Sequence, residues 1–225
     1  MLDVGSGGGK ATIAAAQAVA PTGAAIGADI STQLTELAIR RATEAGVDNV
    51  SFRVADMQVD DIGAGPYDAV MSQFGVMFFD EPVVAFANIH AHLAPEGRMA
   101  FACWQTNDCN PWFIGTALAG IVPPPPPPEP GKSPTGPFAL GDHERTQHIL
   151  ESAGFANVRR TPHDLIVELP QDAVVDAAQL RFLGVPPDQM PTATAAVNAH
   201  LAQFESAPGV AKFPLAFQVF RATAR

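Results

Sequence analysis

Four glycines fall within five positions near the start of the chain, in Leu2-Asp3-Val4-Gly5-Ser6-Gly7-Gly8-Gly9-Lys10. Leu2 and Val4 read as the end of a buried strand, and the alanine-rich run 11–20 reads as a helix. Glycine adopts positive φ and lets the backbone approach a ligand with no Cβ in the way. A helix that opens directly after such a turn offers unpaired N–H groups and the positive end of its dipole. The stretch is therefore predicted to be a strand–turn–helix cradle for a nucleotide-like ligand.

Three loop types compete for it. A phosphate-binding P-loop needs Gly, four residues, then Gly-Lys-Ser/Thr; Gly9-Lys10 would require glycine at Val4 and a hydroxyl at Ala11. The dinucleotide fingerprint G-x-G-x-x-G begins at Gly5 and Gly7 but meets Lys10 where its third glycine belongs. The pattern that fits is Asp3-x-Gly5-x-Gly7-x-Gly9.

Three later stretches extend it. Residues 24–30 read as a second buried strand ending in Asp29-Ile30, where a carboxylate is placed to accept ribose hydroxyls; Ser31 is the better N-cap for the following helix. Residues 50–57 read as a third strand ending in Asp56-Met57. Residues 67–74 read as a fourth, leaving through Ser72-Gln73. The turn Leu93-Ala94-Pro95-Glu96-Gly97 then leads into a fifth strand, 98–104. In order and spacing these segments resemble the class I S-adenosylmethionine-dependent methyltransferases, specifically over residues 1 to 105 and loosely over 138 to 225. The likeness is nearest to the group of ubiquinone and menaquinone biosynthesis C-methyltransferases. It implies S-adenosyl-L-methionine as cofactor, held by Asp3, Gly5, Ser6, Gly7, Asp29, Ile30, Asp56, Met57, Ser72 and Gln73. Asp56 would take the adenine amino group and Met57 would pack beside the ring. It implies a small, largely apolar methyl acceptor. It also implies a run of helix ahead of the glycine loop that caps the cofactor, so the chain is expected to be a fragment or to have a misassigned start at Met1.

Strands alternating with helices predict an α/β, Rossmann-like, mostly parallel sheet of seven strands with helices on both faces. Such sheets bind ligands at the carboxyl ends of their strands. One methyltransferase domain is expected over 1–225: a cofactor half at 1–105, a Pro-rich insertion at 106–140, and C-terminal strands at 141–225 that include a helical lid at 170–208. The substrate is expected between lid and cofactor half. Six consecutive prolines, Pro123 to Pro128, exclude helix and central strand there and read as a stiff surface connection. Helices are expected at 31–45, with Leu34, Leu37, Ala38 and Ile39 inward and Arg40, Arg41 and Glu44 outward; after an Asp80 cap; after an Asp142 cap; and at 172–183 and 192–204. A bent sixth strand is expected at 156–169 and a closing strand at 213–223, which the methyltransferase resemblance implies is antiparallel beside the fifth.

Composition narrows the function. The net charge is −10, and no Lys/Arg cluster supplies the phosphate-neutralising surface that a nucleic-acid partner needs. No apolar run reaches the roughly 20 residues of a membrane span. Two cysteines, Cys103 and Cys109, make neither a disulfide framework nor a zinc site, and no metal-ligand spacing exists; a reducing cytoplasm is the expected setting. Oligomeric state is not legible. Phe74, Met77, Phe78, Trp104, Trp112 and Phe113 follow strand exits and are candidates for an apolar acceptor pocket or for core. His143, His163 and Asp108 are candidate general bases. Two alternatives stay open: an NAD-dependent oxidoreductase, disfavoured by Lys10 and by the lack of a Tyr-x-x-x-Lys pair, and a truncated Rossmann-like chain with weak or no catalysis.

Overall fold

The computed structural model describes residues 1–63, 65–123, 134–170, 180–181 and 183–224. Most of the proline run and most of the helix expected at 172–183 lie outside the described residues. The chain divides into two compact units: Met1–Gln105, Pro128–Pro162 and Phe217–Arg225 form the first, and Thr106–Pro127 with His163–Ala216 the second.

The first unit opens with β1 (Leu2–Val4), α1 (Lys10–Val19), β2 (Ala25–Asp29), α2 (Thr32–Glu44), β3 (Val50–Val54) and β4 (Tyr67–Gln73). Then come α3 (Pro82–Ala91), β5 (Leu93–Trp104), α4 (His143–Ser152) and β6 (Ala156–Pro170); α5 (Met190–Ala202), β7 (Glu205–Ala207) and β8 (Val210–Thr223) complete the order. The sheet runs β3-β2-β1-β4-β5-β8-β6, with β7 paired to β8. β1 is parallel to β2 and β4, β2 to β3, and β4 to β5, whereas β8 is antiparallel to β5. This is the expected Rossmann-like α/β architecture with its antiparallel closing strand. The short β7, which makes a hairpin with β8, was not legible in the sequence.

Register decides which face each side chain serves, because neighbours along a strand point to opposite faces. Leu2 is level with Val70, and Val70 with Met99. These join Phe101 and Phe220 in a buried core with Phe86 and Ile89 of α3 and Ile149 and Leu150 of α4; Phe101 lies 5.4 Å from Phe86 and stacks on Phe220 at 5.3 Å. Asp3 is level with Gly27 and Met71, on the opposite face. There α1 and α2 sit over β1 to β3.

Two caps read from sequence are present. Ser31 Oγ accepts from Leu34 N at 3.3 Å, and Asp142 accepts from the amides of Glu144 and Arg145 at 3.0 and 3.1 Å. A third is corrected: α3 starts after Glu81, not Asp80, with no side-chain cap. The inward stripe of α2 is also corrected. Thr35, Ala38 and Ala42 are its buried residues, while Leu34 and Ile39 are exposed. The helix lies so close to the loop that a Cβ on Gly9 would come within 2.7 Å of the Ala38 Cβ, and only small residues fit that approach.

The second unit has its own core, with Ile114, Leu118, Val185, Val197, Leu201 and Phe213 among its members. The fully buried Asn110 donates to the Ala216 carbonyl at 2.9 Å and accepts from the Ala216 amide at 3.0 Å. One side chain thus takes the place of a neighbouring strand.

Candidate functional site

The loop between β1 and α1 holds three left-handed glycines, Gly5, Gly7 and Gly9, with φ of 69°, 52° and 77°. Gly5 has a second reason to be glycine. A Cβ there would lie 2.6 Å from Gly75 Cα, and one on Gly75 would lie 2.7 Å from the Val4 carbonyl oxygen. Two backbones touch where β1 and β4 part. Gly75 had no recognised role in the sequence reading.

The amides of the loop are largely committed within the protein. Gly5 and Ser6 both donate to the Ala28 carbonyl, at 2.8 and 3.0 Å, and Gly9 donates to Ser6 O at 2.9 Å. Gly7 donates to Asp29 Oδ2 at 2.7 Å, and Ser31 to Asp29 Oδ1 at 2.9 Å. The donors left over are the Gly8 amide and those of the first turn of α1, which no side chain caps.

A cavity of about 140 Å³ adjoins this loop, lined by Asp3, Gly5, Ser6, Gly8, Lys10, Ala11, Arg41 and Gln73. It is smaller than the 300–1,000 Å³ usual for ligand pockets, so it suits one end of a ligand. Asp3 is 1% exposed. Its Oδ2 accepts from the hydroxyl of Thr12, a buried residue of α1, at 2.6 Å. Its Oδ1 is buried with no hydrogen-bond partner, and the same is true of Ser6 Oγ. Burial pushes the Asp3 carboxyl up to about 6; the Thr12 bond lowers it and the nearby charge of Asp29 raises it. Buried polar atoms in folded proteins are nearly always bonded. Two orphans lining one hollow therefore fit a polar ligand.

The remaining expected site residues distribute unevenly. Gln73 reaches the hollow. Asp29 is tied to the loop through Gly7, and each of its oxygens keeps a second lone pair. Ile30 is 72% exposed beside it. Asp56 uses Oδ1 to accept from Gln58 N at 2.9 Å. Met57 is buried in the core, where it has no free face for a ring. Ser72 is buried and accepts from Gly75 N at 3.2 Å. Arg41, read from sequence as an outward residue of α2, instead donates from Nη1 to the Gly8 carbonyl at 2.9 Å. Gly75 and Arg41 were missed because each acts on the loop from a distant element, and Thr12 because its bond to Asp3 reaches back across the loop; no local pattern marks such contacts.

Just beyond Gln73, Phe74 has a φ of 58°. Its ring stacks on Trp104 at 4.5 Å and meets the edge of Phe217 at 6.2 Å. All three rings are half-buried, a platform at the ends of β4 and β5. Met77 is core and Phe78 is exposed. Cys103 is buried, and desolvation holds its thiol up at about 12, far from a reactive thiolate. Among the candidate bases, His143 opens α4 in the first unit; Asp108 and His163 belong to the second.

Residues 1–97 match the Methyltransf_25 family, described as a methyltransferase domain. Over those 97 of its 225 residues the chain is similar to a methyltransferase domain. Two curated relatives carry the same theme. The chain is 36% identical over 101 residues to aklanonic acid methyltransferase DauC of Streptomyces sp. (strain C5), covering 45% of this chain and 46% of the relative. It is 30% identical over 185 residues to nocamycin O-methyltransferase of Saccharothrix syringae, covering 76% of this chain and 64% of the relative. The chain thus spans about half to two thirds of the length of these relatives. Among solved structures, the YcgJ protein of Bacillus subtilis matches with a TM-score of 0.66 at 16% identity, over 100% of this chain and 91% of the other. Phosphoethanolamine N-methyltransferase 2 of Haemonchus contortus, solved in complex with S-adenosyl-L-methionine, matches with a TM-score of 0.59 at 14% identity, over 100% of this chain and 48% of the other. Both likenesses show the fold. The glycine loop, Asp3, Asp29 and Gln73 all lie at the carboxyl ends of parallel strands.

Proposed function

We propose that the chain binds S-adenosyl-L-methionine at the glycine loop and serves methyl transfer to a small, largely apolar acceptor. The observation that carries this reading is the unpartnered Asp3 Oδ1, a buried acceptor lining the same hollow as the loop. An ammonium group fits that oxygen. The cations of Lys10 and Arg41 and the uncapped first turn of α1 suit a carboxylate. Together they describe the two charges of an α-amino acid. Asp29, held one hydrogen bond from Gly7, would take the ribose hydroxyls through its second lone pairs. Asp56, at the end of β3, is the candidate for the adenine amino group, whereas Met57 supports the ring only from within the core.

The bound cofactor supplies a methyl group on a cationic sulfur. The protein's share is to orient the partners and keep water away. The half-buried rings of Phe74, Trp104 and Phe217 offer the acceptor a flat apolar surface. Both curated relatives are named for small molecules, one of them as an O-methyltransferase, which favours an oxygen acceptor over the carbon acceptor of the quinone group. His143, His163 and Asp108 remain candidate bases for a hydroxyl acceptor. A cytoplasmic setting is part of the same reading.

Calorimetric titration with S-adenosylhomocysteine and, separately, with NAD tests it. Saturable binding of the first alone is expected. Binding of NAD would make the chain an oxidoreductase, and binding of neither would make it a methyltransferase fold without a working cofactor site.

A further inference from the structure

The turn after β3 is closed by its own bonds and held in place by α3. The Asp56 carbonyl accepts from the amides of Val59 and Asp60 at 3.0 and 2.8 Å. The Asp56 amide donates to Asp60 Oδ2 at 2.8 Å, and its Oδ1 accepts from Gln58. Asn88 of α3 donates from Nδ2 to the Met57 carbonyl at 3.1 Å and to the Asp60 carbonyl at 3.0 Å. One primary amide thus uses both of its hydrogens on the two ends of the turn. The Glu81 amide, just before α3, donates to Gln58 Oε1 at 2.9 Å. His92 is buried just past the last turn of the helix, four residues from Asn88 and so on the same face. Its Nδ1 donates to the Asn88 carbonyl at 2.8 Å, and its Nε2 stands 3.2 Å from Asp61 Oδ1. Asp61 Oδ1 also accepts from Gly63 at 2.8 Å, and that amide, followed by His92, holds the Asp61 carboxyl below its ordinary range.

We infer that Asn88 and His92 are positioning residues for the cofactor's base: by fixing this turn they aim Asp56 and set the preference for an adenine amino group. The inference rests on the reading in which Asp56 takes that group. Asp56 is half-buried, and among the described residues nothing bonds to its Oδ2. The bond from Gln58 fixes the carboxylate through one oxygen and leaves the other for a ligand. A charge-assisted hydrogen bond is directional, so its acceptor must be held closely in place and angle. Met57 alone does not do this. Its side chain is sunk in the core, which sets the depth of the turn but leaves it free to pivot about one point. The bonds of Asn88 at Met57 and Asp60 add a second point of hold, and His92 at Asp61 a third. All of them come from a rigid support, since Ala85, Phe86 and Ile89 of α3 are fully buried. The helix reaches the proposed cofactor site only through this turn.

The test uses the full chain and calorimetric titration with two ligands. One is S-adenosylhomocysteine; the other is S-inosylhomocysteine, its deaminated analogue, which carries a carbonyl where the first carries the amino donor. The native chain should prefer the adenosyl ligand by about tenfold or more, the worth of one charge-assisted hydrogen bond. Asn88→Asp keeps the shape and removes both hydrogens. It should lower the preference by roughly threefold or more, through weaker binding of the adenosyl ligand and nearly unchanged binding of the inosyl one. His92→Ala should lower it in the same direction by less. In the free chain of Asn88→Asp, the amides of Val59 and Asp60 should exchange with deuterium about tenfold faster. An equal weakening of both ligands would leave Asn88 a role in stability alone and overturn the inference, as would an unchanged preference. Asp56→Asn separates the inference from the reading beneath it. That variant should erase the preference. If it leaves the preference intact, Asp56 is not at the amino group and the reading fails; if it erases the preference and Asn88→Asp does not lower it, only the positioning role falls.

Discussion

The hydroxyl of Thr12 donates to one oxygen of Asp3 across 2.6 Å, and the other oxygen of that carboxylate is buried without a partner. α1 thus holds the acid at the end of β1 in one orientation and leaves a single acceptor for the hollow. Replacing Thr12 with valine keeps the shape and removes the donor. The buried carboxylate then loses its one internal partner, and urea unfolding at pH 7 should show a loss of about 1–3 kcal/mol. S-adenosylhomocysteine binding should weaken in the same variant.

Asp3 also sets a pH dependence. Its carboxyl is raised from 3.8 to about 6, so between those values the folded chain holds a proton that the unfolded chain has released. Stability therefore falls as pH rises through this window, and the loss is complete above pH 6. Asp3→Asn removes the dependence, and its stability relative to the native chain should improve from pH 4 to pH 7 in paired urea titrations. Cofactor binding should run the other way. An ammonium prefers the ionised acid, so S-adenosylhomocysteine affinity should drop below pH 6 in the native chain and stay flat in the variant.

Two glycines, Gly7 with a φ of 52° and Gly75 with a φ of −90°, should respond differently to alanine. At Gly7 a Cβ meets nothing within 4 Å, and Gly7→Ala should cost only the backbone strain of a left-handed residue, about 1 kcal/mol. At Gly75 the new methyl would lie 2.7 Å from a carbonyl oxygen and 2.8 Å from Gly5 Cα, and neither backbone is free to yield. Gly75→Ala should cost several kcal/mol, in the upper range for single substitutions, and should abolish S-adenosylhomocysteine binding. Equal melting temperatures for the two variants would contradict this account.

Asp29→Ala removes the acceptor of both Gly7 N–H and Ser31 N–H. The expected loss in S-adenosylhomocysteine affinity is roughly 1.5–3 kcal/mol, one charge-assisted hydrogen bond, about 10- to 150-fold in the dissociation constant. Calorimetry on the purified variant reads it directly, and an unchanged constant would remove Asp29 from the site.

The parts of this protein legible in its sequence are those governed by neighbours along the chain. Gly5, Gly7 and Gly9 announce a turn because L side chains resist its dihedrals, and Ser31 and Asp142 announce helix starts because their oxygens reach amides two or three residues on. Alternation of strand and helix was enough to predict the parallel sheet, while its antiparallel closing strand was expected only from the resemblance to the methyltransferases. Contacts between distant segments were hidden. Arg41 looks like a solvent residue until α2 is laid beside the loop, and its bond to Gly8 spans 33 positions. Leu34 and Ile39 look like core until the close approach of α2 selects Ala38 and Ala42 instead. Met57 was expected beside a ligand and lies in the core, since the turn after β3 folds back under its own Asp56 cap.

The contact between Gly5 and Gly75 has a mechanical reading. Gly75 follows Phe74, whose ring is stacked on Trp104, and it bears directly on the peptide that begins the glycine loop. A guest that shoved the Phe74 ring aside would press, one residue later, against the loop proposed to seat the adenosyl ligand, so the proposed cofactor and acceptor sites share a pivot made only of main chain.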